Sequence, residues 1–490
     1  MLDLPRTLRL LTEHRSLRQV VLKNTIWLGI ALGFSKALEF LLTVYVVRTL
    51  GAAAYGTFTF ALSFATLFSA FFDAGLALIA TREFARDPRY REYLVGLGIF
   101  KAVVGLCVGA IVTAAGFLVT HSGAIRALVA VIAVYVGLSE AMNLFYAIVR
   151  SQQRMEYEAV LRAAQSCLLV VFVVGALVVY HSVFAVGIAY AGATGSMLVV
   201  VLVFALIGGY LPVDGVLAPV AIFRRFASAG MYLALSRMVG DVVVNADSVL
   251  LGYLGYFAAT GWYNAAATIS GAALFPMGLV ASAIFPALVR AQRESFESFF
   301  RHWSMWARGT IVFSMMICVL AFAEAKAITV LVYSASFASA ALALQILMVA
   351  AALLYIDALY YHSLLVFDQQ RRMFFVQVTA ALVNIGLNLV LVPRYSLYGA
   401  AVAVVVTRAV IVGQHIMLTA KYTPVRAVDG AMLRTLLISA GSGALMWLAM
   451  HVMDQVGGSV IEAVLAGSVV YGLSLFCLSG AGRGIISPRT

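Results

Sequence analysis

Residues 24–49 read NTIWLGIALGFSKALEFLLTVYVVRT, twenty-six residues with only three ionisable side chains, Lys36, Glu39 and Arg48. A helix of that length spans the ~30 Å hydrocarbon core of a bilayer. A segment in hydrocarbon must satisfy its own backbone hydrogen bonds, so such a run dictates helix rather than loop or open strand. Thirteen further runs follow, at about residues 57–81, 93–119, 125–149, 160–180, 183–207, 226–253, 261–286, 309–331, 340–366, 374–392, 399–420, 430–451 and 460–479. Over all 490 residues the chain is 63% hydrophobic and 11% charged, against roughly 45–50% and 25% in soluble domains. A water-soluble fold is excluded, and the expected class is an all-α integral membrane protein with about 14 transmembrane helices.

The basic residues orient it. Of 33 Lys and Arg, 25 fall in alternate loops and tails, from the N-terminal Arg6–Lys23 group to Arg483 and Arg489, whereas the opposite loops and helix ends hold Arg48, Arg126, Lys326 and Arg394. Cytoplasmic loops carry the excess, so both termini are expected in the cytoplasm and the protein in the cytoplasmic (inner) cell membrane. The first apolar run is too long for a signal peptide and lacks a small-residue cleavage site. The charges lie between apolar runs, which argues against a nucleic-acid partner. Cys107, Cys167, Cys318 and Cys477 sit inside apolar runs at wide spacing, without a metal or disulfide pattern. No enzyme motif is present, no cofactor is expected, and the short external loops disfavour a membrane transferase.

The expected organisation is a cytoplasmic amphipathic tail (1–23), a six-helix bundle (24–207), a linker (208–225) with Pro212 and Pro219, a second six-helix bundle (226–420), and a C-terminal helix pair with its tail (421–490). Residues 287–308, where aromatic and Arg residues mix, read as an interfacial helix. A short internal echo supports the two bundles: residues 54–61 read AYGTFTFA and residues 259–266 read ATGWYNAA, matching Gly56 to Gly261, Phe58 to Tyr263 and Ala61 to Ala266. Gly29-xxx-Gly33 and Gly105-xxx-Gly109 read as close packing within one chain, which is taken to be a monomer. Pro276 and Pro286 favour kinks in the eighth run.

Ionisable groups at membrane depth are costly and mark function. Lys36 and Arg237 lie twelve and eleven residues into their runs, about 16–18 Å from the inner edge. Glu39 at i+3 and Asp241 at i+4 share their helix faces. Two structural ion pairs and a cationic centre for an anionic substrate both fit that spacing. Asp73, Glu140 and Asp357 have no basic residue at i±3 or i±4 and are candidates for ion coupling. Arg408 reads as snorkelling outward or lining an exit path, Lys101 as snorkelling inward, Asp247 as reaching interfacial water, and Glu462 as a solvated helix-end group.

Around the first two runs, Arg48-Thr49-Leu50-Gly51, Tyr55-Gly56-Thr57-Phe58, Asp73-Ala74-Gly75-Leu76 and Arg82-Glu83-Phe84-Ala85-Arg86 resemble the amino-terminal signature of Wzx-type (O-antigen) polysaccharide flippases of the multidrug/oligosaccharidyl-lipid/polysaccharide (MOP) exporter superfamily. The resemblance implies a bilayer-embedded carrier that moves a polyprenyl-diphosphate-linked oligosaccharide to the outer leaflet by alternating access, alongside polysaccharide-assembly proteins. By depth and helix, the cavity-lining basic residues of such carriers would correspond to Lys36 and Arg237, with Glu39 and Asp241 beside them, and Arg48 to an outer gate or cap. The alternative within the superfamily is a multidrug or organic-cation antiporter, which needs acidic groups facing its substrate.

Overall fold

The computed structural model describes residues 17–73, 75–87, 92–208, 210, 220–425 and 430–478. The expected tail 1–23 and linker 208–225 lie largely outside them. The first helices are α1 (Leu17–Leu50), α2 (Ala52–Thr66), α3 (Ser69–Asp73), α4 (Leu76–Arg86), α5 (Leu94–Val119), α6 (Gly123–Ser151), α7 (Met155–Tyr180), α8 (Val183–Ile207) and α9 (Val220–Tyr253). They are followed by α10 (Phe257–Glu294), α11 (Phe296–Ala323), α12 (Ala325–Val332), a 3-10 turn (Ala335–Phe337), α13 (Ala340–Val366), α14 (Gln370–Tyr422), α15 (Gly430–Gln455) and α16 (Val460–Leu478). Eleven of the described helices are long and apolar enough to cross a membrane, twelve if the bent pair Ala52–Thr66 and Ser69–Arg86 is one span. The protein is an all-α, multi-pass membrane protein.

Composition explains the surface as well as the spans. Leu106, Leu118, Ile207 and Val179 are all more than half exposed. In water such a belt would drive aggregation, and in a bilayer it faces lipid at no cost.

The residues up to Asn245 form one compact unit and those from Ala246 a second, the division falling inside α9. In the first unit Leu76, Phe84, Leu97, Tyr146, Ile148 and Met197 form a buried cluster that ties α4, α5, α6 and α8 together. In the second, Phe299, Trp303, Trp306, Leu359 and Tyr360 form another. The C-terminal pair α15 and α16 packs against α11 through Met446, Met450 and Tyr471, whose hydroxyl donates to the Val312 carbonyl at 2.7 Å. The echo occupies equivalent places in each unit. Gly51 and Gly255, at φ 77° and 80°, turn the chain into α2 and α10. Phe58 and Tyr263, then Ala61 and Ala266, are buried in the turns that follow.

Three readings are corrected. The run 57–81 is not one straight helix: it breaks after Thr66 and again at Gly75, whose left-handed φ of 68° starts α4, and the two parts are bent by 47°. Residues 287–308 are not a separate interfacial helix but the end of α10 and the start of α11. Ser295 caps α11 by accepting the Ser298 amide at 3.0 Å, and the aromatics Phe299 and Trp303 are core residues, buried with Leu359 and Tyr360. A Cβ added at Gly29, Gly105 or Gly109 would meet nothing within 4 Å, so these are not sites of close helix approach. That role falls to Gly187, against Leu128, and to Gly467, against Met450.

The 53-residue α14 is two helices joined across Ser396, at φ 51° and ψ −130°. Pro393 cannot donate its backbone nitrogen there. Gly399 follows, and a Cβ on it would lie 2.3 Å from the Leu391 carbonyl oxygen. Backbone cannot yield as a flexible side chain does, so Gly399→Ala is expected to exceed the about 1–3 kcal/mol of ordinary overpacking. The check is the yield of monodisperse protein after detergent extraction; normal yield refutes the contact.

Candidate functional site

The break in the second apolar run places a short helix, α3, where a continuous span would present only side chains. Ser69 and Asp73 stand on it. Asp73 Oδ1 accepts the Ala77 amide at 3.4 Å, helping to satisfy the start of α4, and also accepts Lys101 Nζ from α5 at 2.7 Å. Both side chains of that pair are buried, at 3% and 9% exposure. Opposite them, Glu140 of α6 holds Arg237 of α9: Nη2 donates to Oε1 at 2.6 Å and Nη1 to Oε2 at 3.4 Å. Asn143 Nδ2 supports Glu140 Oε2 at 2.9 Å, and Asp73 Oδ2 lies 3.9 Å from Arg237 Nη1. Asp241, one turn along α9, accepts the Ser69 hydroxyl at 2.6 Å.

These groups border a cavity of about 430 Å³ whose lining includes Asp73, Asn143, Arg150, Ser236 and Arg237. Arg237 keeps 44% of its side chain exposed while its partner Glu140 keeps 7%. The side chain is thus held by a buried carboxylate and remains partly exposed. Arg150 is already engaged: Nε and Nη2 donate to the two oxygens of Glu158 at 2.8 and 2.6 Å, and Arg162 Nε shares Oε1 at 2.8 Å. Excluding that satisfied cluster, the site holds two cations, Lys101 and Arg237, against three carboxylates, Asp73, Glu140 and Asp241.

Several residues singled out by sequence are repartnered. Arg237 takes Glu140, 97 residues away, rather than Asp241, because a carboxylate on a facing helix offers both oxygens to the planar fork. Lys101 does not snorkel; a buried carboxylate within reach offsets its desolvation. Asp73 and Glu140 lack cationic partners along their own helices and find them across the bundle. Lys36 does pair with Glu39, at 2.7 Å, with side chains 63% and 45% exposed. Neither is among the described residues lining the cavity. Arg48 is exposed in the last turn of α1. Glu462 is exposed and forms a capping box, accepting the Ser459 amide at 2.7 Å while its own amide donates to Ser459 Oγ at 3.3 Å.

In the second unit Asp247 does not reach interfacial water. It is 1% exposed, and accepts the Tyr263 hydroxyl at 2.9 Å and the side-chain amides of Asn384, at 3.3 Å, and Asn388. Asn384 and Asn388 were missed; their i, i+4 spacing inside an apolar run is the available signal. Asp247→Ala takes its acceptor from the Tyr263 hydroxyl, a loss of about 1–3 kcal/mol for a buried donor left unpaired, while the amides of Asn384 and Asn388 keep bonds to Thr407 Oγ1 and the Asn384 carbonyl. A fall in thermal midpoint well beyond that of Asp247→Asn is the expected result in detergent. Asp357 pairs with His415 Nδ1 at 2.6 Å, and Arg408 is half-buried on the same helix as His415.

Comparison with known proteins places this geometry. The structure of the lipid II flippase MurJ in an inward closed conformation matches with a TM-score of 0.76 at 13% identity, covering 93% of this chain and 99% of that one. An inward-facing multidrug resistance MATE family transporter of the MOP superfamily matches at 0.62 and 15% identity, over 81% of this chain and 100% of its own. The Vibrio cholerae MATE transporter VcmN matches at 0.56 and 15%, over 81% and 96%. No curated protein matches the sequence. The fold is therefore that of MOP-superfamily transporters. Residues 21–292, more than half of the chain, match the family described as polysaccharide biosynthesis protein, and the chain belongs to that family. The resemblance carried by residues 48–86 is borne out.

Proposed function

We propose that the protein is a flippase that moves a polyprenyl-diphosphate-linked oligosaccharide from the cytoplasmic to the outer leaflet by alternating access, across the inner membrane, with fourteen crossings and both termini cytoplasmic. The observation that carries the reading is Arg237: a guanidinium deep in the apolar part of the chain, bordering a cavity, with 44% of its side chain still exposed. A guanidinium fork binds two phosphate oxygens at once. An anion leaving an inside-negative cell gains about 2.3 kcal/mol per charge per 100 mV, so the diphosphate needs compensation chiefly within the membrane. Lys36 with Glu39, and Asp241, are assigned to the substrate path, Arg48 and Arg408 to its gate or exit, and Asp357 to coupling, whereas Asp73 and Glu140 serve as counter-ions of Lys101 and Arg237. In the second unit a cavity of about 390 Å³, lined by Pro276, Met277, Trp306, Phe313 and Tyr355 among others, suits a hydrocarbon chain.

The drug-antiporter reading draws on the MATE likeness and on the excess of carboxylates around Arg237. Deletion separates the two. A flippase mutant accumulates lipid-linked oligosaccharide in the inner leaflet and loses surface polysaccharide; normal surface polysaccharide with heightened drug sensitivity overturns the flippase reading in favour of the antiporter.

A further inference from the structure

His415 is fully buried on α14, and its ring packs 6.1 Å from that of Tyr361. Its Nδ1 lies 2.6 Å from Asp357 Oδ1 on α13. An ionised carboxylate only accepts, so Nδ1 carries the hydrogen of that bond. The other ring nitrogen, Nε2, is buried without a hydrogen-bond partner among the described residues. One turn further along α14, the hydroxyl of Thr419 is likewise buried and unpartnered. Thr423 follows at the same spacing, 9% exposed at the end of the helix, its hydroxyl donating to the Thr419 carbonyl at 2.7 Å and accepting the Val425 amide at 3.3 Å. His415, Thr419 and Thr423 therefore form a ladder on one helix face, about 12 Å long, from the interior to the helix end. Buried polar groups are ordinarily satisfied, and two orphans in register on an apolar helix mark a route for something that hydrogen-bonds.

Charge indicates what travels. Arg408, two turns before His415, feels both Asp357 and Asp247 of α9, with the Tyr263 phenol of α10 nearby. His362 of α13 also lies within electrostatic range of Asp357, its ring beside Trp306 of α11. With the imidazoles neutral, two carboxylates face one guanidinium, leaving one negative charge in a low-dielectric interior. One monovalent cation balances it. An alkali ion wants a shell of oxygens; such oxygens, of Asn384, Asn388 and Thr407, lie around Asp247, whereas the open group beside Asp357 is an imidazole nitrogen, which takes a proton.

We propose that Asp357 and His415 form a proton-binding site, loaded along Thr423 and Thr419 from the C-terminal end of α14. Hydronium at the helix end gives up its proton, which passes to Nε2; the product is an imidazolium–carboxylate pair and water. Arg408 is the fixed charge that feels the change when the pair is loaded. The site does not depend on which glycan is carried.

The test uses the full chain in liposomes, in sodium-free buffer, with isotope-labelled histidine followed by infrared difference spectroscopy between pH 5 and 9. The expected result is a ring band that titrates in the wild type, is absent from His415→Gln, and moves to lower pH in Asp357→Asn. Thr419→Val is expected to slow the response to a pH jump while leaving its end point. Identical spectra for wild type and His415→Gln overturn the proposal. If His415→Gln fails to fold, an unmoved band in Asp357→Asn overturns it instead. A band that responds to added sodium and not to pH also overturns it, assigning the balancing charge to an alkali ion.

Discussion

Arg237→Ala is expected to remove most surface polysaccharide, and Arg237→Ala combined with Glu140→Gln is expected to leave it missing. The single substitution alone is ambiguous. It strands Glu140, 93% covered, without its cation, and an uncompensated buried charge destabilises the fold. Loss of glycan then follows from loss of protein as readily as from loss of a ligand. The double substitution separates the causes. Glutamine keeps the bond from Asn143 Nδ2 to position 140 and carries no charge, so abundance returns. If the pair only holds α6 to α9, transport returns with it. If Arg237 meets the diphosphate, transport stays low. Hydrogen bonds to charged groups are worth about 1.5–3 kcal/mol each, so each one lost slows transport roughly 10- to 150-fold. Arg237→Lys keeps the charge without the fork and is expected to fall between. Surface polysaccharide is read by lectin or antibody binding, normalised to protein in the membrane. Recovery of both abundance and glycan in the double variant assigns Arg237 to the scaffold.

The helical class was legible because burial in hydrocarbon leaves the backbone one economical answer, and a run such as 24–49 announces it without reference to neighbours. Arg237 was legible for a related reason: its depth along one helix follows from counting residues. What escaped is everything decided between helices. Glu140 lies 97 positions from Arg237, and Lys101 is 28 from Asp73; no spacing rule reaches that far. Along a single helix Asp241 is the natural partner of Arg237, yet the break before α3 brings Ser69 to Asp241 and frees the arginine for Glu140. Gly75 in Asp73-Ala74-Gly75-Leu76 was quoted for resemblance, and its left-handed φ is part of what opens the site. Asn384 and Asn388 passed unnoticed because uncharged polar residues hardly disturb an apolar run.

Lys101→Met is expected to lower stability by about 3–5 kcal/mol, the usual loss when one member of a buried ion pair is removed, and Lys101→Met with Asp73→Asn to regain most of it. Lys101 and Asp73 are 3% and 9% exposed, so water cannot take the place of the lost partner. Asparagine retains an oxygen to accept the Ala77 amide, which preserves the start of α4. Thermal midpoints of purified protein in one detergent supply the comparison. A single variant as stable as the wild type shows Asp73 to be uncharged or solvated and removes the argument. A functional consequence follows from the second oxygen of Asp73, 3.9 Å from Arg237 Nη1. With Lys101 present, that carboxylate is neutralised and competes weakly for the guanidinium. Without it, Asp73 competes with an anion for Arg237. Lys101→Met protein that still reaches the membrane is therefore expected to transport poorly, and the added Asp73→Asn to restore transport along with stability, the opposite of the outcome at Glu140. Lys101 acts on substrate only through the position of Arg237, which is why a residue only 3% exposed is expected to set the rate.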